Sequence, residues 1–561
     1  VAELVAMITN RTLELTEMQR EYVWKSTRVR DLLDSLYRGY PSGVILTWST
    51  TLDVAKNEFA VTTAAQAAGG SMLLLDGQQR LTSLSAVLRG EHISVRGRKR
   101  PIDILFNLDH PDDVALITEV YENDGDDDDE ADVLDDTEDA EENDLQRRMR
   151  MRTFVVSSKA LAALPNWVSV TEVMKTSSDA PFLKKAGVSD FNDPNYDKYT
   201  QRLGRLRGIK DYVYRMDVLE DTMSYEEVTE IFVRVNSLDA KLRSSDLALA
   251  QITARWPGSL SRFKDFQDDC TQQGFDLDLG SHLRMLVALL TDQCKFATVA
   301  SLSKNELESG WKRAVQAMKY ANNFVSSNAG IDSDVLLSSP FGLVALGYWA
   351  DKRGFKPTQD EAVLMRRWFL TANAKGRWSR GSSETLLNED LATLRDGGGP
   401  TQLLERLQTQ VGRLDVQPED LEGRNSRSAL FKTMYLAFRE DGAQDWFSQI
   451  NISVKNSGSR DRVEFHHIFP RAHLRKHRPD LKQSQIDDIA NLAFIGGSTN
   501  RDISDDNPEE YLTGLQKAEG DPLGKQQVPG DAQLYTADRY QDFLVMRRAL
   551  IAERLNKFLQ A

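Results

Sequence analysis

Four of the seven histidines in this 561-residue chain fall within twelve positions, at His466, His467, His473 and His477. Imidazole is the side chain whose ordinary pKa lets it move a proton near neutral pH. The surrounding text, Val463-Glu464-Phe465-His466-His467-Ile468-Phe469-Pro470, places apolar residues at strand spacing and ends on a proline that stops the ladder. On such a strand His466 and His467 face opposite sides, and a turn at its end lets both approach one site. A second apolar run follows at 489–495, then Gly496-Gly497 and Asn500. Two strands and a following segment that gather imidazoles and amides without cysteine suit one hard divalent cation, Mg²⁺ or Mn²⁺, beside a phosphate. A neutral histidine takes a proton from water while the cation shields charge growing on the phosphorus oxygens, which is metal-assisted phosphodiester hydrolysis. Arg460, Arg462, Arg471, Arg475, Lys476 and Arg478 offer a track for a DNA backbone. The competing readings are a basic surface loop and a structural zinc knuckle. His473 and His477 read either as a helical metal pair or as surface groups facing DNA.

A second constellation lies near the N-terminus, Leu73-Leu74-Leu75-Asp76-Gly77-Gln78-Gln79-Arg80-Leu81. It predicts an apolar strand reaching Asp76, a turn at Gly77 and a helix entered through Gln78, Gln79 and Arg80. Helix N-termini present free amides and partial positive charge, so anions settle there. Arg80 adds a planar fork suited to phosphate oxygens, and Asp76 is placed to hold a cation or position water. A plain turn is the alternative.

The elements that must carry these residues are legible in part. Residues 44–48, 72–75, 102–106 and 212–219 read as strands, and 31–38 and 79–88 as helices. Ser224 with Glu227 forms a capping-box start for a helix through Ile231 and Phe232. Helical periodicity dominates from 256 to 415, as at 282–290, 308–324 and 361–371, and a long helix is expected at 537–559. The expected organisation is α+β multidomain, with a mixed α/β module at 1–255, a helical linker at 256–415 and a third module at 416–561.

Composition narrows the function classes. Hydrophobic content of 40% and charged content of 28% fit a globular protein, and no run approaches the roughly 20 apolar residues of a membrane span. The N-terminus lacks a basic-then-apolar export pattern, and two cysteines give no disulfide framework, so a reducing cytoplasm is expected. The net charge of −15 is misleading, because 122–144 alone holds fifteen acids and no base, which leaves 70 acids against 70 bases elsewhere. That acidic run reads as a solvated loop, with a strap competing with DNA as the sharper alternative.

The motifs also carry a resemblance. His-His-Ile-Phe-Pro followed by Asn491-Leu492 and Asn500 resembles the HNH (ββα-metal) endonucleases, and more narrowly the C-terminal half of GmrSD-type restriction enzymes. By that resemblance His467 is the general base, His466 and Asn500 bind the metal, and Asn491 braces the loop holding His467. Relatives often carry a carboxylate where His466 stands, and an imidazole favours softer ions. The ordered set Gln19-Arg20-Glu21-Tyr22-Val23-Trp24, Tyr40-Pro41-Ser42-Gly43, Asp76-Gly77-Gln78-Gln79-Arg80 and Phe232-Val233-Arg234-Val235-Asn236 resembles the ParB-like N-terminal domain of the same family. A proline common before the first motif is replaced by Met18.

The resemblance implies binding and hydrolysis of an NTP (GTP or ATP) at Asp76, Gly77, Gln78, Gln79 and Arg80. Gln19, Arg20 and Tyr22 stand nearby, Arg234 and Asn236 complete the site, and Trp24 is expected in the core. It implies a C-terminal ββα-metal nuclease within a helical domain and double-stranded DNA as partner, and it leaves a homo-oligomer open. Two sensors are consistent with it: one for modified cytosine in phage DNA, and one for phosphorothioate as in SspE-like proteins. The alternatives of other class are a ParB-like switch or clamp with an inactive nuclease, and an RNA-directed nuclease. The segment Arg377-Trp378-Ser379-Arg380 reads either as a DNA-backbone contact or as a helix-capping loop.

Overall fold

The computed structural model describes residues 1–16, 24, 26–50, 56–57, 71–92, 101–111, 149, 152–188, 190–238, 244–454 and 463–560. The acidic run 122–144, together with Gln19, Arg20, Tyr22, Arg460 and Arg462, lies outside these residues. The chain is mixed α+β and divides into two compact units, Val1–Gly258 and Ser259–Ala561.

In the first unit, β1 (Leu13–Thr16), β2 (Ile45–Thr50), β3 (Lys56–Asn57), β4 (Ser71–Asp76) and β8 (Met216–Leu219) form one sheet in the order β3-β1-β4-β2-β8. β4 runs parallel to β1 and antiparallel to β2, and β2 runs parallel to β8. A central strand covered on both faces must be apolar throughout. Leu74 faces a core with Leu13, Ile45 and Leu81, while Leu73 and Leu75 face Trp48, Val228 and Phe232. The second sheet, β6-β5-β7, comprises β5 (Ile104–Asn107), β6 (Phe154–Val156) and β7 (Trp167–Ser169). The predicted capping box forms: Ser224 N donates to Glu227 Oε2 at 2.8 Å, and Glu227 N donates to Ser224 Oγ at 3.3 Å. It opens the helix Tyr225–Leu238.

The strand expected over 212–219 is shorter, because only Met216–Leu219 joins the ladder. Tyr212 and Tyr214 bond instead to the 40–42 loop, with Tyr212 OH donating to Tyr40 O at 3.0 Å and Ser42 Oγ donating to Tyr214 OH at 2.7 Å.

The second unit is largely helical, with Leu279–Thr291, Lys304–Ala329, Phe341–Lys352 and Gln359–Ala374 among its longer elements. The apolar stretch at 341–350 is an interior helix buried on all sides. Among the described residues no helix is long and apolar enough to cross a membrane. Arg377 corrects one expectation: its side chain is 0% exposed and bonded to an equally buried Asp390, so it is no DNA contact. Its loop instead caps the helix Ser383–Arg395, with Thr385 N donating to Ser382 Oγ.

His282, in the helix Leu279–Thr291, is 1% exposed, and among the described residues neither ring nitrogen has a hydrogen-bond partner. Burial pushes its pKa from 6.5 down to about 4. Below the unfolded value the unfolded chain binds a proton that the folded chain refuses, so stability falls with pH between those limits. His282→Leu is expected to remove about 2 kcal/mol of the stability lost between pH 7 and pH 5. Urea unfolding of both proteins at the two pH values measures it, and equal losses would rule it out.

Candidate functional site

The histidine motif folds as two antiparallel strands and a helix. β9 (Val463–His467) pairs with β10 (Leu492–Gly496), His467 opposite Leu492 and His466 opposite Ala493, and the helix Gly497–Ile503 follows at once. The Gly-Gly pair is not a separate turn, since Gly496 caps that helix and Gly497 is its first residue. Asp445 anchors the helix start. It accepts from Gly496 N at 2.6 Å and Thr499 Oγ1 at 2.7 Å, while also holding Ser448 N and Oγ.

His466 is 2% exposed, with the Trp446 ring edge-on at 5.7 Å, and burial pushes its pKa down to about 4, so the ring is neutral. Each of its ring nitrogens faces an oxygen. Tyr511 OH donates to Ile468 O, and its oxygen lies 3.3 Å from His466 Nε2. Asn500 is itself oriented: its Nδ2 donates to Glu464 Oε2 at 2.9 Å, which turns Asn500 Oδ1 towards His466 Nδ1, also 2.9 Å away. An amide oxygen only accepts, so this shorter contact is met by Nδ1–H donating to Asn500 Oδ1. With the ring proton moved to Nε2, Nδ1 and Oδ1 would turn two neutral lone pairs to one point, so the residues fit a divalent metal.

His467, on the other strand face, is 18% exposed at its side chain. Its Nε2 lies 3.0 Å from Asp487 Oδ1, and Arg471 Nε approaches both atoms, at 3.3 Å and 3.0 Å. Burial first, then the Arg471 charge, holds its pKa below the ordinary value, against the opposing pull of Asp487. Asn491 is fully buried and clamps the strand exit: Oδ1 accepts from Phe469 N at 2.8 Å, and Nδ2 donates to Phe469 O at 3.1 Å and Ile486 O at 3.0 Å.

Around this centre Arg471, Arg475 and Lys476 are exposed on the helix Arg471–His477, where the His473 and His477 rings lie 4.5 Å apart. Arg478 is engaged with Asp480 at 2.7 Å. Among the described residues, no three His, Cys, Asp or Glu side chains converge as a metal centre.

At the N-terminal turn, Gly77 has φ +101°, which glycine adopts without strain, and the helix Gln78–Leu88 begins directly after it. Arg80 Nη1 donates to Ser42 O at 2.5 Å, and Nη2 donates to Val44 O and Asp76 Oδ2, both at 2.8 Å. A Cβ at Gly43 would overlap that guanidinium. Arg80 therefore fastens the Tyr-Pro-Ser-Gly loop to the Asp-Gly-Gln-Gln-Arg turn. Gln79 Oε1 accepts from Trp24 N at 3.2 Å, and Trp24 packs on the core as expected. Arg234 is exposed and pairs with Glu230 on its own helix, and the Asn236 side chain lies outside the described residues.

Residues 1–253 match the family described as GmrSD restriction endonuclease, N-terminal domain. That match makes residues 1–253 similar to the N-terminal domain of GmrSD restriction endonucleases. Among curated proteins, none matches the chain. The GmrSD domain coincides with the first compact unit, and the histidine centre lies in the second.

Several residues that shape the site in the second unit escaped the sequence reading. Glu464 had a signal, because it stands two residues before His466 on the same strand face. Asp445, Asp487 and Tyr511 had none, being brought in by tertiary folding from 21 residues before to 45 residues after His466 and His467.

Proposed function

We propose that this protein is an NTP-dependent endonuclease or nickase that restricts phage DNA, hydrolysing the phosphodiester with His467 as general base at a ββα-metal (HNH) centre. The likeness of residues 1–253 to a restriction endonuclease domain supports DNA as the partner. The observation that carries the hydrolytic half is the facing pair His466 Nδ1 and Asn500 Oδ1, 2.9 Å apart, beside an accessible His467. His466 and Asn500 would hold Mg²⁺ or Mn²⁺, which supplies charge stabilisation at the phosphate. His467 removes the proton from the attacking water, Asn491 fixes the strand exit that aims it, and Arg471, Arg475 and Lys476 meet the DNA backbone.

In the ParB-like GmrSD domain the nucleotide phosphates would meet the backbone amides of Gln78, Gln79 and Arg80. Arg80 serves there by holding the loop that closes over the turn. Arg80→Ala is expected to lower NTP hydrolysis roughly 100-fold by misplacing that loop. A wild-type hydrolysis rate in the variant would remove the site from this turn.

The testing experiment incubates supercoiled plasmid, either unmodified, carrying glucosylated hydroxymethylcytosine, or phosphorothioated, with Mg²⁺ or Mn²⁺ and with or without GTP or ATP. Relaxed or linear product that requires the cation and rises with nucleotide supports the reading. Plasmid left supercoiled on every substrate overturns it in favour of a switch or clamp. The substrate that gives most product distinguishes a modified-cytosine sensor from a phosphorothioate sensor.

A further inference from the structure

We infer that Asp487 is the positioning residue of the general base: its carboxylate holds His467 as the Nε2–H tautomer and leaves Nδ1 to take the proton from water. The inference rests on the reading of His467 as base and extends it to a residue outside the histidine motif.

Asp487 Oδ1 lies 3.0 Å from His467 Nε2. An ionised carboxylate only accepts, so a ring with its proton on Nδ1 would set the Nε2 lone pair against negative charge. The Nε2–H form removes that conflict, and Arg471 Nε, 3.3 Å from the ring nitrogen, then donates to the nearer Asp487 Oδ1 at 3.0 Å, which Nη2 also reaches at 2.9 Å. The other carboxylate oxygen accepts from Gln483 Nε2 at 2.7 Å, so Asp487 is held from both sides. Hydrogen bonds from Gln483 and His467 and the Arg471 charge outweigh burial and keep the carboxyl below its usual range, hence ionised.

The distance between base and orienter is itself braced. Asn491 Nδ2 grips Phe469 O, two residues after His467, and Ile486 O, one residue before Asp487. One buried amide therefore sets the spacing of the pair. Among the described residues His467 Nδ1 takes no hydrogen bond, which leaves it for water. In the reaction an O–H bond of water breaks and its proton passes to Nδ1. The water oxygen bonds to phosphorus, the bond from phosphorus to the leaving oxygen breaks, and that oxygen is protonated by solvent. The carboxylate stabilises the imidazolium that forms, which returns its proton to solvent.

The test uses the full chain with ¹⁵N-labelled histidine. The His467 signals, identified by their loss in His467→Ala, are expected to report the Nε2–H tautomer, and Asp487→Asn is expected to convert part or all of them to Nδ1–H. In plasmid cleavage Asp487→Asn is expected to lower kcat about 100-fold with KM within about twofold, and Asp487→Glu to recover part of the loss. Unchanged His466 signals show that Asp487→Asn has folded. A folded Asp487→Asn protein that keeps the wild-type tautomer, or cuts at the wild-type rate, overturns the inference. Should His467→Ala still cut, the base assignment falls instead, and the tautomer spectrum separates the two failures.

Discussion

Replacing His467 with alanine is expected to reduce DNA cleavage by about 10³-fold, the middle of the range for loss of a positioned general base. The side chain projects from the last residue of β9 and contacts the side chains of Asp487 and Arg471, so the fold does not depend on it. The pair proposed to hold the metal, His466 and Asn500, makes its contact without His467 and stays intact. The variant should therefore still bind Mn²⁺ and DNA, and residual hydrolysis should reflect the cation and binding alone. Plasmid cleavage at saturating Mg²⁺ or Mn²⁺, with circular dichroism as the fold control, measures it. Cleavage within about threefold of wild type would show that water is activated elsewhere.

Arg377→Ala is expected to cost about 3–5 kcal/mol of stability, the largest folding effect foreseen for a single substitution here. Arg377 and Asp390 are both 0% exposed, joined by contacts of 2.6 Å, 2.8 Å and 3.1 Å. Trp378 Nε1 adds a fourth bond to Asp390 at 3.2 Å, and Gln410 receives Arg377 Nη1 at 2.6 Å. Burial raises the Asp390 pKa despite the guanidinium, so removing Arg377 leaves a carboxyl with little reason to stay charged and no water to solvate it. The double variant Arg377→Met, Asp390→Leu removes both charges and should recover most of the loss. Denaturant unfolding of the three proteins decides it. A single-variant loss below about 1 kcal/mol would mean that the pair is not desolvated in solution.

Local signals in the chain were read well where one periodicity dominates. β4 follows from three successive leucines, its helix from the polar Gly77 turn, and the Ser224 capping box from two residues three apart. The order β3-β1-β4-β2-β8 was not legible, because β8 joins from about 140 residues beyond β4 and nothing local marks its partner. Site residues divide in the same way. His466, His467, Asn491 and Asn500 announce themselves by type and spacing, whereas Asp487 and Tyr511 matter only once the fold brings them in. Arginine was the hardest residue to read. Arg80, Arg377 and Arg547 look alike in sequence, yet one ties a loop, one fills a core ion pair and one bonds three backbone carbonyls.

Those carbonyls belong to Ala490, Leu492 and Gln526, and Arg547 reaches them from the helix Tyr540–Gln560. The same helix sends Tyr540 OH to Gln485 O and Asn556 to the backbone of Val416. During translation the segment bearing His466 and His467 thus leaves the ribosome well before the helix that closes it. A nascent chain stopped short of residue 540 has its histidines but lacks the Tyr540 and Arg547 bonds to Gln485, Ala490 and Leu492. Synthesis order delays the second site until the last described helix has emerged.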